Sequence, residues 1–293
     1  MDFFQRILPP SGADQIQNSS FPILSTIDFE KLFGNVDKPK IIVIYIFSNM
    51  IKKNIFQSWY TRDLCFEVKA KVNLFKEMNP EYKYYLFTDQ DMDNFVNKYY
   101  PGEIAECYNK LNIIVAKVDF WRYLVLYKYG GVYLDMDSSI ERPLSELIRE
   151  DDSAIITKEG NPYFFVQWAL IFAKRHPILK RTIDLIVFNI KNNLYPNNIH
   201  EMTGPSVYTR AINDIHMMLF HKQIDYDGVS MDRTFRSNNV SYRFYGIDYN
   251  GFFTFKHEFA HLLYNEKKHW REEQMEKELL KEEEEEEEKG LFL

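Results

Sequence analysis

A pair of glycines divides two kinds of hydrophobic order in this chain. Ahead of it, the stretch from Glu103 to Tyr129 carries Val115, Val118, Val125 and Leu126 at three- and seven-residue spacings, the period of a helix with a buried face. That pattern stops at Gly130-Gly131, where a helix needs a left-handed residue just past its end. Val132 to Leu134 then forms an apolar run of strand type, and it ends on Asp135-Met136-Asp137. A helix that turns at once into a strand, with acids at the strand's end, is the order of an α/β fold whose ligands gather at strand ends.

The remaining segments extend the same alternation. Ile41 to Phe47 is an unbroken β-branched and apolar run, as expected for a strand covered on both faces in a parallel sheet. A helical stretch is expected up to Met78, broken at Asn79-Pro80, followed by a strand over Tyr82 to Thr88 and a helix capped by Asp89. Ser153 to Thr157 supplies another strand, and Pro177 and Pro205 stand where first-turn prolines open helices. The expectation is an α/β domain over residues 38–270 with a mostly parallel central sheet flanked by helices. Residues 1–37 read as an irregular lead-in, and 271–293 as an acidic, solvated tail.

Charge narrows the function. From Arg271 onward the chain has four Lys/Arg against eleven Glu, which accounts for the whole formal charge of -7. The preceding body is neutral and lacks the basic footprint that nucleic acid requires. Two cysteines, Cys65 and Cys107, exclude a disulfide framework and favour a reducing compartment. Pro9-Pro10 cuts the apolar N-terminus short of a signal or membrane span, and no other stretch is long enough to be one. On these grounds a cytoplasmic protein without a transmembrane segment is expected.

The chemistry concentrates between Lys117 and Leu144. Asp119 and Arg122, three apart, share a helix face and can converge on one ligand; the competing reading is an exposed ion pair. Asp135 and Asp137, two apart on an extended segment, point the same way. Two such carboxylates repel unless a hard dication joins them, and all-oxygen ligation suits Mn²⁺ or Mg²⁺. Such an ion neutralises a departing diphosphate.

The run Asp119-x-x-Arg122, then Leu126-Tyr127-Lys128-Tyr129-Gly130-Gly131-Val132-Tyr133-Leu134-Asp135-x-Asp137, closely resembles the DXD glycosyltransferases, the family of the Golgi initiating mannosyltransferases and the large glucosylating toxins. Pro39-Lys40-Ile41-Ile42, Asn79-Pro80, Gln167-Trp168, His176-Pro177-Ile178-Leu179 and Thr203-Gly204-Pro205 extend the likeness over about residues 38–261. The resemblance implies a GT-A fold and a retaining transfer of a hexose or N-acetylhexosamine from a UDP- or GDP-sugar to a glycan, lipid or protein acceptor. It implies that Asp119 and Arg122 grip the donor sugar, that Tyr133 and Asp135 contact the nucleotide, and that Asp137 binds the metal. Thr203 and Gly204 would lie beside the donor. Two places depart from the pattern: Val43, Ile44 and Ile46 stand where the family has His-Gln and an aromatic, and Leu262-Leu263 where it has Ser-Trp. Trp270 is the substitute expected for the latter, and His257, or failing it His261, the third metal ligand.

Three rival readings have a residue basis. His257-Glu258-Phe259-Ala260-His261 spells the zinc peptidase string HExxH, which on a helix pairs two imidazoles with Glu258 as base. The extended form is absent, with Tyr264 and Lys267 at its offsets. Val132 to Ser138 could be the aspartyl nucleophile loop of a phosphatase, but that motif normally opens its domain. A degenerate protein that binds a sugar nucleotide without turnover also accommodates the two departures.

Overall fold

The strands of the central sheet are short, and those at its middle are buried along their whole length. The computed structural model describes residues 50–160, 163–226, 232–237, 240–264 and 270–281. The chain divides into two units, 1–44 and 45–293, and every described residue belongs to the second. The expected strand Ile41–Phe47 and the run of seven glutamates lie outside the described residues.

In chain order the first elements are β1 (Asn54–Ser58), α1 (Phe66–Met78), β2 (Lys83–Phe87), α2 (Asp89–Tyr99), α3 (Glu103–Lys110), α4 (Ile114–Tyr129) and β3 (Gly131–Leu134). There follow β4 (Ser139–Ile140), α5 (Leu144–Leu147), β5 (Ala154–Lys158), β6 (Ala169–Phe172), α6 (Pro177–Lys191), α7 (Ile199–Met202) and α8 (Pro205–Phe220). The chain continues with β7 (Arg233–Ser237), β8 (Val240–Ile247), a 3₁₀ turn (Asp248–Gly251), β9 (Phe253–Thr254), α9 (Ala260–Leu263) and α10 (Trp270–Glu276).

Seven strands form one sheet in the order β2-β1-β3-β6-β5-β8-β7. It is mixed, not mostly parallel: β1/β2, β1/β3 and β5/β8 are parallel, whereas β3/β6, β5/β6 and β7/β8 run antiparallel. The connection from β5 to β6 shows why. Only Glu159 to Trp168 separates them, shorter than the crossover of about a dozen residues that a parallel neighbour needs.

Alternation along the strands builds a core on each face of the sheet. Ile55, Val132 and Leu134 face α1, whose Val68, Val72 and Phe75 are buried there. Phe56 and Tyr133 face the opposite core, with α4. That helix is buried on nearly all sides, from Ala116 through Leu126, so it shows no single apolar stripe. Burying one such Leu or Phe side chain contributes about 1.5–3 kcal/mol. Asp119 and Arg122 lie on this buried helix at 5% and 4% exposure, which excludes the exposed ion pair.

Three local differences from the sequence expectation have physical causes. The segment before α1 is not all helical, because Ile55, Phe56, Gln57 and Ser58 of β1 are buried between β2 and β3. The helix expected over 103–129 breaks at Leu111-Asn112-Ile113, where the Asn112 N–H donates to the Leu279 carbonyl at 2.8 Å and Leu111 bridges Leu280. The segment 278–281 is therefore no solvated tail: Leu279 is buried in the core at 1% exposure. Thr88 rather than Asp89 caps α2, in a capping box with Asp91.

Candidate functional site

The chain passes from β1 to β2 on one side and returns to β3 on the other, so the strand order reverses at β1/β3. Ligands of open α/β sheets bind at such a reversal, beyond the carboxyl ends of the strands. A cavity of about 730 Å³ opens there, lined by Ser58 and Trp59 from the end of β1 and by Asp135 and Asp137 after β3. Arg122 from α4 and Tyr133 from β3 line it as well.

Arg122 organises this region. Its Nη2 lies 3.0 Å from Asp119 Oδ1 and 3.2 Å from Asp135 Oδ1, and its Nη1 donates to the Gln167 carbonyl at 3.1 Å. The guanidinium also stacks on the Tyr133 ring, 4.7 Å from its centroid. Tyr133 donates its hydroxyl to Asp135 Oδ1 at 2.5 Å, and Thr203 donates to Asp119 Oδ2 at 3.2 Å. Burial pushes the Asp119 carboxyl up to about 7 and that of Asp135 up to about 6, with Arg122 opposing both shifts. One guanidinium thus serves two carboxylates, of which Asp135 lines the cavity.

Asp135 and Asp137 are not extended as the spacing suggested. The Ser138 N–H donates to the Asp135 carbonyl at 3.0 Å, closing a turn that still turns both residues to the cavity. Asp137 accepts from Ser138 Oγ at 3.2 Å on one oxygen and from the Tyr264 hydroxyl at 2.7 Å on the other. The antiparallel pair β4/β9 brings the C-terminal segment to this turn, where the His257 N–H donates to the Asp137 carbonyl at 2.8 Å.

The expected third metal ligand does not join the acids. His257 is buried, its Nδ1 accepts from the Phe259 N–H at 3.2 Å, and its ring also bonds the Met136 carbonyl. His261 is exposed and its Nδ1 is 3.0 Å from the Glu258 carbonyl. Among the described residues no group of three or more His, Cys, Asp or Glu is placed to hold a metal. What remains is a pair of cavity-lining carboxylates, each also hydrogen-bonded within the protein. That donor set fits Mg²⁺ or Mn²⁺, which commonly take one or two carboxylates and fill their other positions with water and phosphate oxygens. The HExxH reading fails because α9 begins only at Ala260, so the two imidazoles do not share a helix face.

The other expected residues fall in place unequally. Thr203 touches Asp119, and Gln167 Nε2 donates to the Thr203 carbonyl at 3.2 Å. Gly204 serves packing: a Cβ there would come within 2.7 Å of His200 Cα. Trp270 opens α10, and its side chain lies outside the described residues. Sequence reasoning missed the end of β1. Gln57 donates through Nε2 to the Asp135 carbonyl at 3.1 Å and accepts at Oε1 from the Tyr84 hydroxyl at 2.9 Å, while Trp59 lines the cavity. The signal was present, since Ile55-Phe56-Gln57-Ser58-Trp59 holds the glutamine and aromatic sought after Ile41-Ile42. Tyr264 had no sequence signal, being tied to Asp137 only through the fold.

Residues 66–155 match the family described as the glycosyltransferase sugar-binding region containing the DXD motif. The chain is 30% identical to inositol phosphoceramide mannosyltransferase 3 of Schizosaccharomyces pombe over 47% of its own length and 38% of that protein. It is 25% identical to the initiation-specific alpha-1,6-mannosyltransferase of Candida albicans, over 56% of its length and 53% of that protein. The chain thus spans about half or less of these relatives. A solved structure titled PaToxG Glycosyltransferase overlays at 19% identity and a TM-score of 0.45, covering 60% of this chain and 78% of that one, a likeness too distant to carry an argument. The expectation of a cytoplasmic protein is overturned by these relatives, which include the Golgi initiating enzymes of the resemblance. That no described helix is long and apolar enough to cross a membrane does not restore it. Asp119, Arg122, Asp135 and Asp137 all lie within residues 66–155, and this region is that of the DXD-motif glycosyltransferase family, with similarity to fungal mannosyltransferases.

Proposed function

We propose that this chain is a metal-dependent glycosyltransferase of GT-A type that moves a hexose or N-acetylhexosamine, with retention, from a UDP- or GDP-sugar to a glycan, lipid or protein acceptor. The observation that carries this reading is that Arg122, Asp135 and Asp137 line one large cavity, with Asp119 and Asp135 both paired to Arg122. Arg122 and Asp119 would present a donor and an acceptor to sugar hydroxyls, their positions fixed by Tyr133, Gln167 and Thr203. Trp59 and Tyr60 offer aromatic faces for the nucleotide at the end of β1. Asp135 and Asp137 would hold Mn²⁺ or Mg²⁺, which supplies Lewis-acid neutralisation of the diphosphate. The names of the fungal relatives favour mannose as the sugar.

A donor-hydrolysis screen over UDP-glucose, UDP-N-acetylglucosamine, UDP-galactose and GDP-mannose, with and without Mn²⁺, tests the reading. Hydrolysis of one donor that needs the ion is the expected outcome. Nucleotide binding with no product from any donor would leave a sugar-nucleotide-binding protein, and no binding at all would remove the reading.

A further inference from the structure

Charge in the cavity is lopsided. Asp89, Asp135, Asp137, Glu159, Asp248 and Glu273 line it, and among the described lining residues the fixed cations are Arg122 and Lys256. Arg122 is already engaged by Asp119 and Asp135. Lys256 forms no ion pair with a described carboxylate; its ammonium lies 5.3 Å from the centroid of the Phe255 ring. Asp135 and Asp137 together offset the charge of a divalent ion, so the diphosphate's own charge calls for a cation from the chain.

The backbone holds Lys256 in an unusual way. Its φ is +54°, in the left-handed region, which a side-chain-bearing residue seldom adopts. Such strain persists where neighbours over-determine it, and it clusters at ligand clamps. Here the neighbours are explicit. On one side Phe253 and Thr254 pair with Ile140 and Ser139, and on the other the His257 N–H is bonded to Asp137. Lys256 is pinned between two attachments to the segment that carries the acids.

We infer that Lys256 holds the departing diphosphate, an inference that rests on the donor-transfer reading above. As the anomeric C–O bond breaks, its electron pair stays on the β-phosphate oxygen. The acceptor oxygen bonds the same carbon, and the acceptor's hydroxyl proton passes to the departing diphosphate. The Lys256 ammonium pairs with the β-phosphate while this charge builds, so its interaction is stronger in the transition state than in the bound donor.

The test uses the full chain with Mn²⁺ and the variants Lys256→Met and Lys256→Arg. Calorimetric affinities for UDP and GDP are compared with those for UMP and GMP, beside kcat and KM on whichever of the four donors the screen finds hydrolysed. Lys256→Met is expected to weaken the cognate diphosphate at least tenfold, the monophosphate much less, and to lower kcat about a hundredfold, with Lys256→Arg recovering most of both. Equal loss for mono- and diphosphate, an arginine variant no better than methionine, or unchanged kcat would each overturn the role of Lys256 and leave the donor reading standing. A wild-type chain that binds neither diphosphate would overturn both.

Discussion

Tyr264 donates its hydroxyl to Asp137 Oδ2 at 2.7 Å, across 127 residues of sequence. Burial and the charge of Asp137 hold the phenol's pKa above its ordinary value, so the hydroxyl stays a donor at neutral pH. A donor behind a ligating carboxylate fixes its orientation, and losing one typically costs 10–100-fold in metal affinity or activity. Tyr264→Phe is therefore expected to raise the Mn²⁺ concentration needed for half-maximal donor hydrolysis about tenfold, with an unchanged circular dichroism spectrum. An unaltered Mn²⁺ dependence would separate Tyr264 from the site.

Arg122 is the residue on which the buried charges depend. Its side chain is 5% exposed, that of Asp119 7% and that of Asp135 27%. Arg122→Met would leave two carboxylates facing each other without their shared cation, and breaking a buried ion pair from one side costs about 3–5 kcal/mol. Arg122→Lys keeps a charge but loses the planar fork and the stacking on Tyr133, so it should fall between methionine and wild type. Urea denaturation orders the three proteins; a methionine variant as stable as wild type would contradict the arrangement.

The glycine pair, the strand after it and the acids at its end were legible because each sets a local rule: helix stop, strand period, paired carboxylates. Asp119 and Arg122 were legible as a pair on one helix face. Their burial was not, since it follows from α4 lying under the sheet and not from residue spacing. Strand directions were misread for a similar reason. Whether β6 runs parallel or antiparallel to β5 is decided by the short Glu159 to Trp168 connection between them, which hydrophobic period does not register. β1 was hidden by its composition: Asn54-Ile55-Phe56-Gln57-Ser58 is less apolar than Ile41 to Phe47, although Gln57 is buried by bonds to Asp135 and Tyr84. His257 shows the reverse error, a residue type with ligand chemistry that the fold uses to hold a loop.

Glu159 makes a pH test possible. Burial, with Asp248 adding to it, raises its pKa from 4.5 to about 7. The folded state therefore binds this proton more tightly than the unfolded chain does, and the group's contribution to stability is present below pH 4.5 and is lost as pH rises to 7. His176 and His216, both held near 4 by burial, act in the opposite sense. The difference between wild type and Glu159→Gln isolates the carboxyl. The glutamine variant should gain stability relative to wild type from pH 4.5 to 7, by chemical denaturation at each pH. A difference independent of pH would show that Glu159 titrates as an ordinary carboxyl.

The glycines that order the sequence also set the distance between the two halves of the crevice. Gly131 has φ +132°, and a Cβ there would lie 2.5 Å from the Asn54 carbonyl oxygen, a backbone atom of β1. Gly130 has φ +67°, and its Cβ would meet the Lys174 nitrogen at 2.6 Å. The dihedral alone costs on the order of 1–3 kcal/mol for any other residue. The clash adds to it, because the Cβ meets a backbone oxygen and no rotamer relieves it. Gly131→Ala should therefore destabilise the fold by more than the dihedral strain alone. It should also push β1 from β3, separating Trp59 from Asp135 and weakening nucleotide affinity in the protein that still folds. Denaturation midpoints and calorimetric UDP or GDP titration check the two effects together. An alanine variant of wild-type stability and affinity would mean that β1 can yield at Asn54, and that the spacing of the crevice is not set by this contact.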